Sequence, residues 1–309
     1  MEGSVADTQL AAFLTALNAK GESVGEIVGA ARVMRQKADK LKISSDNIVD
    51  TCGTGGDGGN TFNISTASAF VVAGAGITVA KHGNRAVSSR SGSADVLKCL
   101  GVNIDADKTV VEKCIEQVGM GFLFAPLLHG AMKYAAPVRK KLGVRTIFNL
   151  LGPLTNPANA HAQVIGVFDK KWVSPIAHVL QDLGSRHAFV VHGEDGLDEI
   201  SLMDETYIAE LVDGEIHEYR VSPEKFGLQR CSPEQVQGGA PEENAKILKS
   251  ILQGEGGPKA DIVLLNASAA ICAGGKASSI EGGLVVARQS IDSGAAKEKL
   301  LGLCDVSHS

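Results

Sequence analysis

Between Ile48 and His192 short apolar runs and helical stretches take turns, and this alternation limits the fold more than any other feature. IVD (48–50) is followed by a helical pattern over 65–75, then ITVA (77–80), then helical stretches over 93–100 and 107–118. FLFA (122–125), a helix across 129–142, QVIGVF (163–168), a helix over 172–183 and HAFVVH (187–192) complete the series. Two parallel strands need a long crossover between them, and an amphipathic helix supplies it. The pattern predicts an α/β fold with a mainly parallel central sheet. TYIAELVDGEIHEYRV (206–221) predicts a hairpin turning at Asp213-Gly214, and the carboxyl third is helical from Glu242 onward.

The first forty residues carry a different pattern. LAAFLTALNAKG predicts a short helix ended by Gly21, and SVGE (23–26) is a capping box that opens a helix with Ile27, Ala30, Ala31 and Met34 on one side. A small helical domain over 1–45 and a large α/β domain over 46–309 are therefore expected. The net charge of −5 gives no basic footprint of the kind nucleic acids select, and no apolar run reaches membrane-spanning length. MEGSVADTQ lacks the basic and apolar regions of a signal peptide. The six cysteines (52, 99, 114, 231, 272, 304) include no CxxC pair and read as reduced, mostly buried small hydrophobes of a cytoplasmic protein.

In a parallel sheet ligands sit beyond the carboxyl ends of the strands, so the loops after Asp50, Ala80, Ala125 and His192 carry the interest. The first holds five glycines in the seven residues 53–59. Gly53-Thr54-Gly55-Gly56-Asp57-Gly58 satisfies GxGxxG, but no helix opens at its third glycine and no ribose-binding acid follows, since there is no carboxylate between Asp57 and Asp95. What remains is backbone N–H that can approach an anion closely, followed by Asn63-Ile64-Ser65-Thr66 at a helix start. Ser65 or Thr66 as a plain helix cap is the alternative. The second loop is KHGNRAVSSRSGSAD (81–95), with Lys81, Arg85, Arg90 and four serines inside 37 acid-free residues (58–94). Cations, hydroxyls and Gly92 together predict the second half of a polyphosphate cradle, against the alternative of a solvated basic loop. After HAFVVH, Glu194, Asp195, Asp198 and Glu199 form an acid cluster; Asp198-Glu199 suits one or two Mg²⁺ ions beside a phosphorylated ligand, or is an acidic surface loop.

In GTGGD (53–57), NIST (63–66), KHGN (81–84) with SGSAD (91–95), FAPLLHGAMKYAAPVRKKLG (124–143), TIFNLLGPLTNPA (146–158) and LDEIS (197–201), the chain resembles the anthranilate phosphoribosyltransferases. The resemblance continues through GGAPEENAKIL (238–248) to ASSIEGGLVVARQSIDSGAA (277–296) and covers nearly the whole chain. It implies the nucleoside-phosphorylase-like, type III phosphoribosyltransferase fold. There a helix near 127–145 joins the small helical domain and the site lies in the hinge. It implies that anthranilate attacks C1 of phosphoribosyl pyrophosphate, releasing pyrophosphate and giving N-(5-phosphoribosyl)anthranilate in tryptophan biosynthesis. It implies a phosphoribosyl pyrophosphate site at Gly53, Thr54, Gly55, Gly56, Asp57, Thr61, Asn63, Ser65, Thr66, Lys81, Ser89, Ser91 and Ser93. Ser65, Asp198 and Glu199 would contact Mg²⁺, two ions per monomer. Gly53, His82, Asn84, Ala125, Pro126, His129 and Arg139 would surround anthranilate; the Arg139 fork suits a carboxylate. A homodimer is implied through the amino-terminal helices, although the chain begins about one helix short of the family pattern, and Gly130 stands where the family commonly has proline.

Anthranilate's amine is neutral at pH 7, so positioning and charge stabilisation are expected to carry the reaction, with no essential general base. Two other readings compete. A pyrimidine nucleoside phosphorylase would carry other glycine and lysine loops than GTGGD and KHGN, and a non-catalytic nucleic-acid binder would show a basic face.

Overall fold

Runs of β-branched and apolar residues buried on both faces build the centre of one seven-stranded sheet. The structure, a computed structural model, describes residues 2–55, 61–86 and 90–309. After α1 (Asp7–Lys20) and α2 (Val24–Lys37) come β1 (Ile48–Gly53), α3 (Ile64–Gly74), β2 (Thr78–Gly83), α4 (Ser93–Leu100), α5 (Lys108–Val118) and β3 (Met120–Phe124). Next are α6 (Ala125–Leu128), α7 (Ala136–Leu142), α8 (Phe148–Leu151), β4 (Ala162–Gly166), α9 (Val173–Asp182), β5 (His187–Gly193), β6 (Thr206–Val212) and β7 (Glu215–Val221). The helices α10 (Pro241–Leu252), α11 (Pro258–Ala273), α12 (Ile280–Asp292) and α13 (Ala295–Val306) finish the chain.

The strand order is β3-β2-β1-β4-β5-β6-β7. The first five strands are parallel and the last two join antiparallel, as the hairpin pattern predicts. Asp213 and Gly214 turn it with φ of 52° and 80°, the left-handed pair a two-residue hairpin needs. One face packs under α3 and α11; the other packs on α9, with α2 against α8 and α9. The Ser23–Glu26 capping box forms as expected. No helix among the described residues is long and apolar enough to cross a membrane.

Two expectations need correction. In place of one helix across 129–142 there is a 3₁₀ turn over Gly130–Tyr134 followed by α7, and α6 has already ended at Leu128. Pro137 lacks the N–H that a continuous helix would bond to the residue 133 carbonyl. β2 also runs on through Lys81, His82 and Gly83, which pair with Phe122, Leu123 and Phe124, so Lys81 lies within a strand and not on a loop.

Candidate active site

The order of the strands creates the site. From β1 the chain moves to β2 and β3 on one side, then returns to place β4 on the other, so the crevice opens between the carboxyl ends of β1 and β4. Thr54 N–H donates to Gly166 O at 2.9 Å, and Phe168 N–H donates to Thr54 Oγ1 at 2.9 Å, closing the two strand ends together. The segment after β5 folds over this point. A Cβ on Gly166 would lie 1.5 Å from Asp198 O, and one on Gly53 would lie 2.6 Å from Asp198 Oδ2. Position 166 therefore requires glycine for the acid segment to dock, whatever its backbone torsions, whereas a side chain at 53 would push the Asp198 carboxylate aside.

The acid pair is aimed by backbone. Gly55 N–H donates to Asp198 Oδ2 at 2.9 Å, and Ser65 N–H at the start of α3 donates to Glu199 Oε1 at 3.0 Å. The glycine loop, the positive end of α3 and two carboxylates thus meet, although 143 and 134 residues separate the partners in sequence. The donor set is oxygen only, two carboxylates and the Ser65 hydroxyl, which fits a hard cation such as Mg²⁺ and not a soft one.

Lys81 lies beneath this floor, 1% exposed. Its Nζ donates to Thr51 O at 2.5 Å and to Ser65 Oγ at 3.3 Å, so its charge reaches the crevice through Ser65. Burial lowers the ammonium pKa, and Asp50, Cys52 and Glu199 oppose that shift. Asp50, fully buried, is pushed up to about 6 by the same loss of water, opposed by Lys81. Asn156 ties this pair to the sheet, donating to Asp50 Oδ2 and Ala80 O, both at 2.8 Å, while His82 N–H donates to Asp50 Oδ1.

Asp95 ties together the described ends of the second loop. Ala86 N–H and Gly92 N–H both donate to Asp95 Oδ2 at 3.0 Å, and Arg85 pairs with Asp95 Oδ1 at 3.3 Å. Asn63 and Ser91 exchange hydrogen bonds, Asn63 Nδ2 to Ser91 O and Ser91 Oγ to Asn63 Oδ1, and Asn244 donates to the same Asn63 oxygen at 3.0 Å. Ser93 Oγ donates to Asn84 O, and Asn84 itself is exposed. Thr61 bridges to Gln237. Thr66 is buried, its Oγ1 without a hydrogen-bond partner among the described residues. Gly56, Asp57 and Ser89 lie outside the described residues.

The third group stands at the end of β3. Ala125 and Pro126 open α6, and His129 follows it. His82 and His129 face each other with Nε2 atoms 3.2 Å apart and ring centroids 5.0 Å apart. Gly152 O can only accept, so His82 Nδ1 carries the hydrogen across their 3.2 Å contact, and neutral His82 turns its unprotonated Nε2 to His129. Burial first, then the neighbouring His129, lowers His82 to about 3; burial lowers His129 as well. Arg139 on α7 is half-buried over the Phe148 ring, 5.2 Å from its centroid. Among the described residues it has no carboxylate partner.

The histidine burial carries a pH signature. Between the ordinary imidazole value of 6.5 and about 3 the unfolded chain binds a proton at position 82 that the folded chain does not. Stability therefore falls as pH drops through this window. Asp50 acts there with the opposite sign, so the contrast with a variant isolates the histidine. His82→Asn should show a shallower decline of Tm with falling pH than the parent; parallel declines would refute a buried neutral His82.

Three residues of the site escaped the sequence reading: Asn156, Asn244 and Gly166. The asparagines sit inside TNPA and PEENA, where only a pattern of buried amides would have marked them; Gly166 looked like an ordinary strand glycine.

The model of the "Glycosyl transferase family, helical bundle domain" matches residues 1–38, and that of the "Glycosyl transferase family, a/b domain" matches residues 45–297. The anthranilate phosphoribosyltransferase of Symbiobacterium thermophilum is 55% identical over 308 residues, covering 100% of this chain and 90% of the relative. That of Acetivibrio thermocellus is 55% identical over 300 residues, 97% of this chain and 87% of its own. The crystal structure of the Thermus thermophilus enzyme superposes with a TM-score of 0.95 at 46% identity, over 99% of this chain and 92% of that one. The Saccharomyces cerevisiae enzyme in complex with PRPP and Mg superposes with a TM-score of 0.90 at 32% identity, over 98% and 85%. With its crevice, its acid pair and its near-complete likeness to these enzymes, the chain belongs to the anthranilate phosphoribosyltransferase family.

Proposed function

We propose that this chain transfers the phosphoribosyl group of phosphoribosyl pyrophosphate to anthranilate, releasing pyrophosphate. The observation that carries the reading is the convergence of the Gly53–Gly55 backbone, the α3 amino terminus and the Asp198–Glu199 pair, held by the 2.9 and 3.0 Å hydrogen bonds. Asp198, Glu199 and Ser65 would hold Mg²⁺, which when bound neutralises charge on the departing pyrophosphate. Thr54, Thr61, Asn63, Thr66, Ser91 and Ser93, with Gly56, Asp57 and Ser89, belong to the same phosphoribosyl pyrophosphate site. Lys81 adds positive charge under Ser65.

Arg139 orients the anthranilate carboxylate, and Gly53, Asn84, Ala125 and Pro126 border its ring. His82 donates its Nδ1 hydrogen to Gly152 O and its Nε2 faces His129 Nε2 at 3.2 Å, so neither of those atoms is offered to the substrate as a strong base. The amine proton leaves late, and the residues act by orientation and charge. Two Mg²⁺ ions per chain, a boundary near residue 45 and a homodimer through the amino-terminal helices belong to the same reading. Phe13, 60% exposed, and Val33, 43% exposed, offer apolar surface there, and sedimentation in the assay buffer checks the dimer.

The test is anthranilate fluorescence with phosphoribosyl pyrophosphate, with Mg²⁺ or with EDTA. Metal-dependent loss of signal with stoichiometric pyrophosphate release is expected. Pyrophosphate release without loss of anthranilate would assign another acceptor.

A further inference from the structure

At the end of the sheet away from the crevice three ligand atoms of different chemistry meet. His187 opens β5, Glu210 lies in β6, and Cys272 lies in the last turn of α11. His187 Nε2 is 3.0 Å from Glu210 Oε1, and the imidazole nitrogen, a carboxylate oxygen and Cys272 Sγ all lie within 4.8 Å of one another. Sheet register brings this about. Phe189 stands opposite Glu210, and His187, two residues earlier, shares the Phe189 face, which α11 covers.

The surroundings orient the group. The Tyr219 hydroxyl, from β7, donates to Glu210 Oε2 at 2.7 Å, so the carboxylate turns its other oxygen to His187. Such an outer partner is what metal-ligating carboxylates use to hold their direction. Cys272 is a free thiol, 3% exposed, while His187 and Glu210 side chains are 18% and 20% exposed, so two of the three ligands reach solvent. Lys225, the cation near the Tyr219 ring, is engaged by Glu281 at 3.5 Å.

A sulfur, a nitrogen and an oxygen donor together do not suit Mg²⁺, which takes oxygens; they suit Zn²⁺ and its neighbours. We propose that His187, Glu210 and Cys272 form a zinc-class cation site, three protein ligands with the fourth position left to water, that clamps α11 to β5 and β6. His187 would ligate through Nε2 as the neutral imidazole: the Nε2 hydrogen that faces Glu210 Oε1 leaves to solvent and Nδ1 holds the remaining one. The Cys272 thiol proton leaves to solvent as the metal–sulfur bond forms, and no electrons are transferred. Six strand residues, about 20 Å, separate His187 from the active-site end of β5, so the cation would act on stability and not on the reaction.

The experiment titrates the metal-stripped, full-length protein with Co²⁺ and follows the near-ultraviolet thiolate-to-cobalt charge-transfer band. One equivalent should develop the band and Zn²⁺ should abolish it. Cys272→Ala should remove it, and His187→Gln should weaken Co²⁺ binding by about tenfold or more. Zn²⁺ in excess should raise the Tm of the parent and not of Cys272→Ala. In excess Mg²⁺, kcat should be the same in all three proteins. No thiolate band in the parent, or a band of full strength in Cys272→Ala, would overturn the site. Should Cys272→Ala fail to fold, unaltered Co²⁺ affinity in His187→Gln would overturn it equally.

Discussion

Asp198→Asn should lower kcat by about 10²- to 10³-fold and shift the Mg²⁺ requirement upward, with little change in Tm. The substitution keeps a carbonyl oxygen where Gly55 N–H now donates at 2.9 Å, so the fold over Gly166 is preserved. It removes one negative charge from the oxygen-only donor set proposed to gather a cation beside a polyphosphate. Glu199→Gln, which likewise keeps an acceptor for Ser65 N–H, should act in the same direction. The readouts are steady-state kcat across a Mg²⁺ series and a thermal melt. A variant with parental kcat and parental Mg²⁺ dependence would exclude Asp198 from the cation site, and the acid pair would then be a brace for the glycine loop.

Arg139→Ala should raise KM for anthranilate by about 10- to 100-fold while leaving KM for phosphoribosyl pyrophosphate nearly unchanged, the range set by a charge-assisted hydrogen bond of about 1.5–3 kcal/mol. The guanidinium is half-buried, and burial lowers its pKa, yet the described residues offer it no carboxylate. A charge left in that state gains most from an anionic ligand. Its Cζ lies 5.2 Å from the Phe148 ring centroid, a cation–π contact that helps hold the fork. Arg139→Lys should recover only part of the loss, because an ammonium cannot make two parallel bonds. Equal rises in both KM values would sink the assignment and mark Arg139 as a structural support of α7.

Much of this architecture is written locally. The alternation from Ile48 to His192 specifies parallel crossovers because period-two and 3.6-residue patterns cannot exchange roles. Ser23 and Glu26 specify a helix start because their side chains satisfy donors within the same turn. Asp213-Gly214 specifies a hairpin because both residues tolerate positive φ. Glycine density before NIST is the signal for the proposed anion loop for an equally local reason: backbone can approach a ligand where side chains are absent.

Tertiary structure decided the rest, because the deciding partners are far apart in sequence. Lys81 looked like a loop cation, and only the packing of α3 on β1 and β2 gives its ammonium Thr51 O and Ser65 Oγ and so permits its burial. Nothing in TNPA says that the Asn156 amide will meet Asp50, 106 residues away, or in PEENA that Asn244 will brace Asn63, 181 residues away. Gly166 became indispensable only when Asp198 O arrived where its Cβ would stand. Local sequence fixes which backbone forms can exist, through sterics and hydrogen bonds spanning a few residues. Which buried charge finds which partner depends on chain crossings, and those are settled when the strand order 3-2-1-4-5 closes the sheet over its crevice.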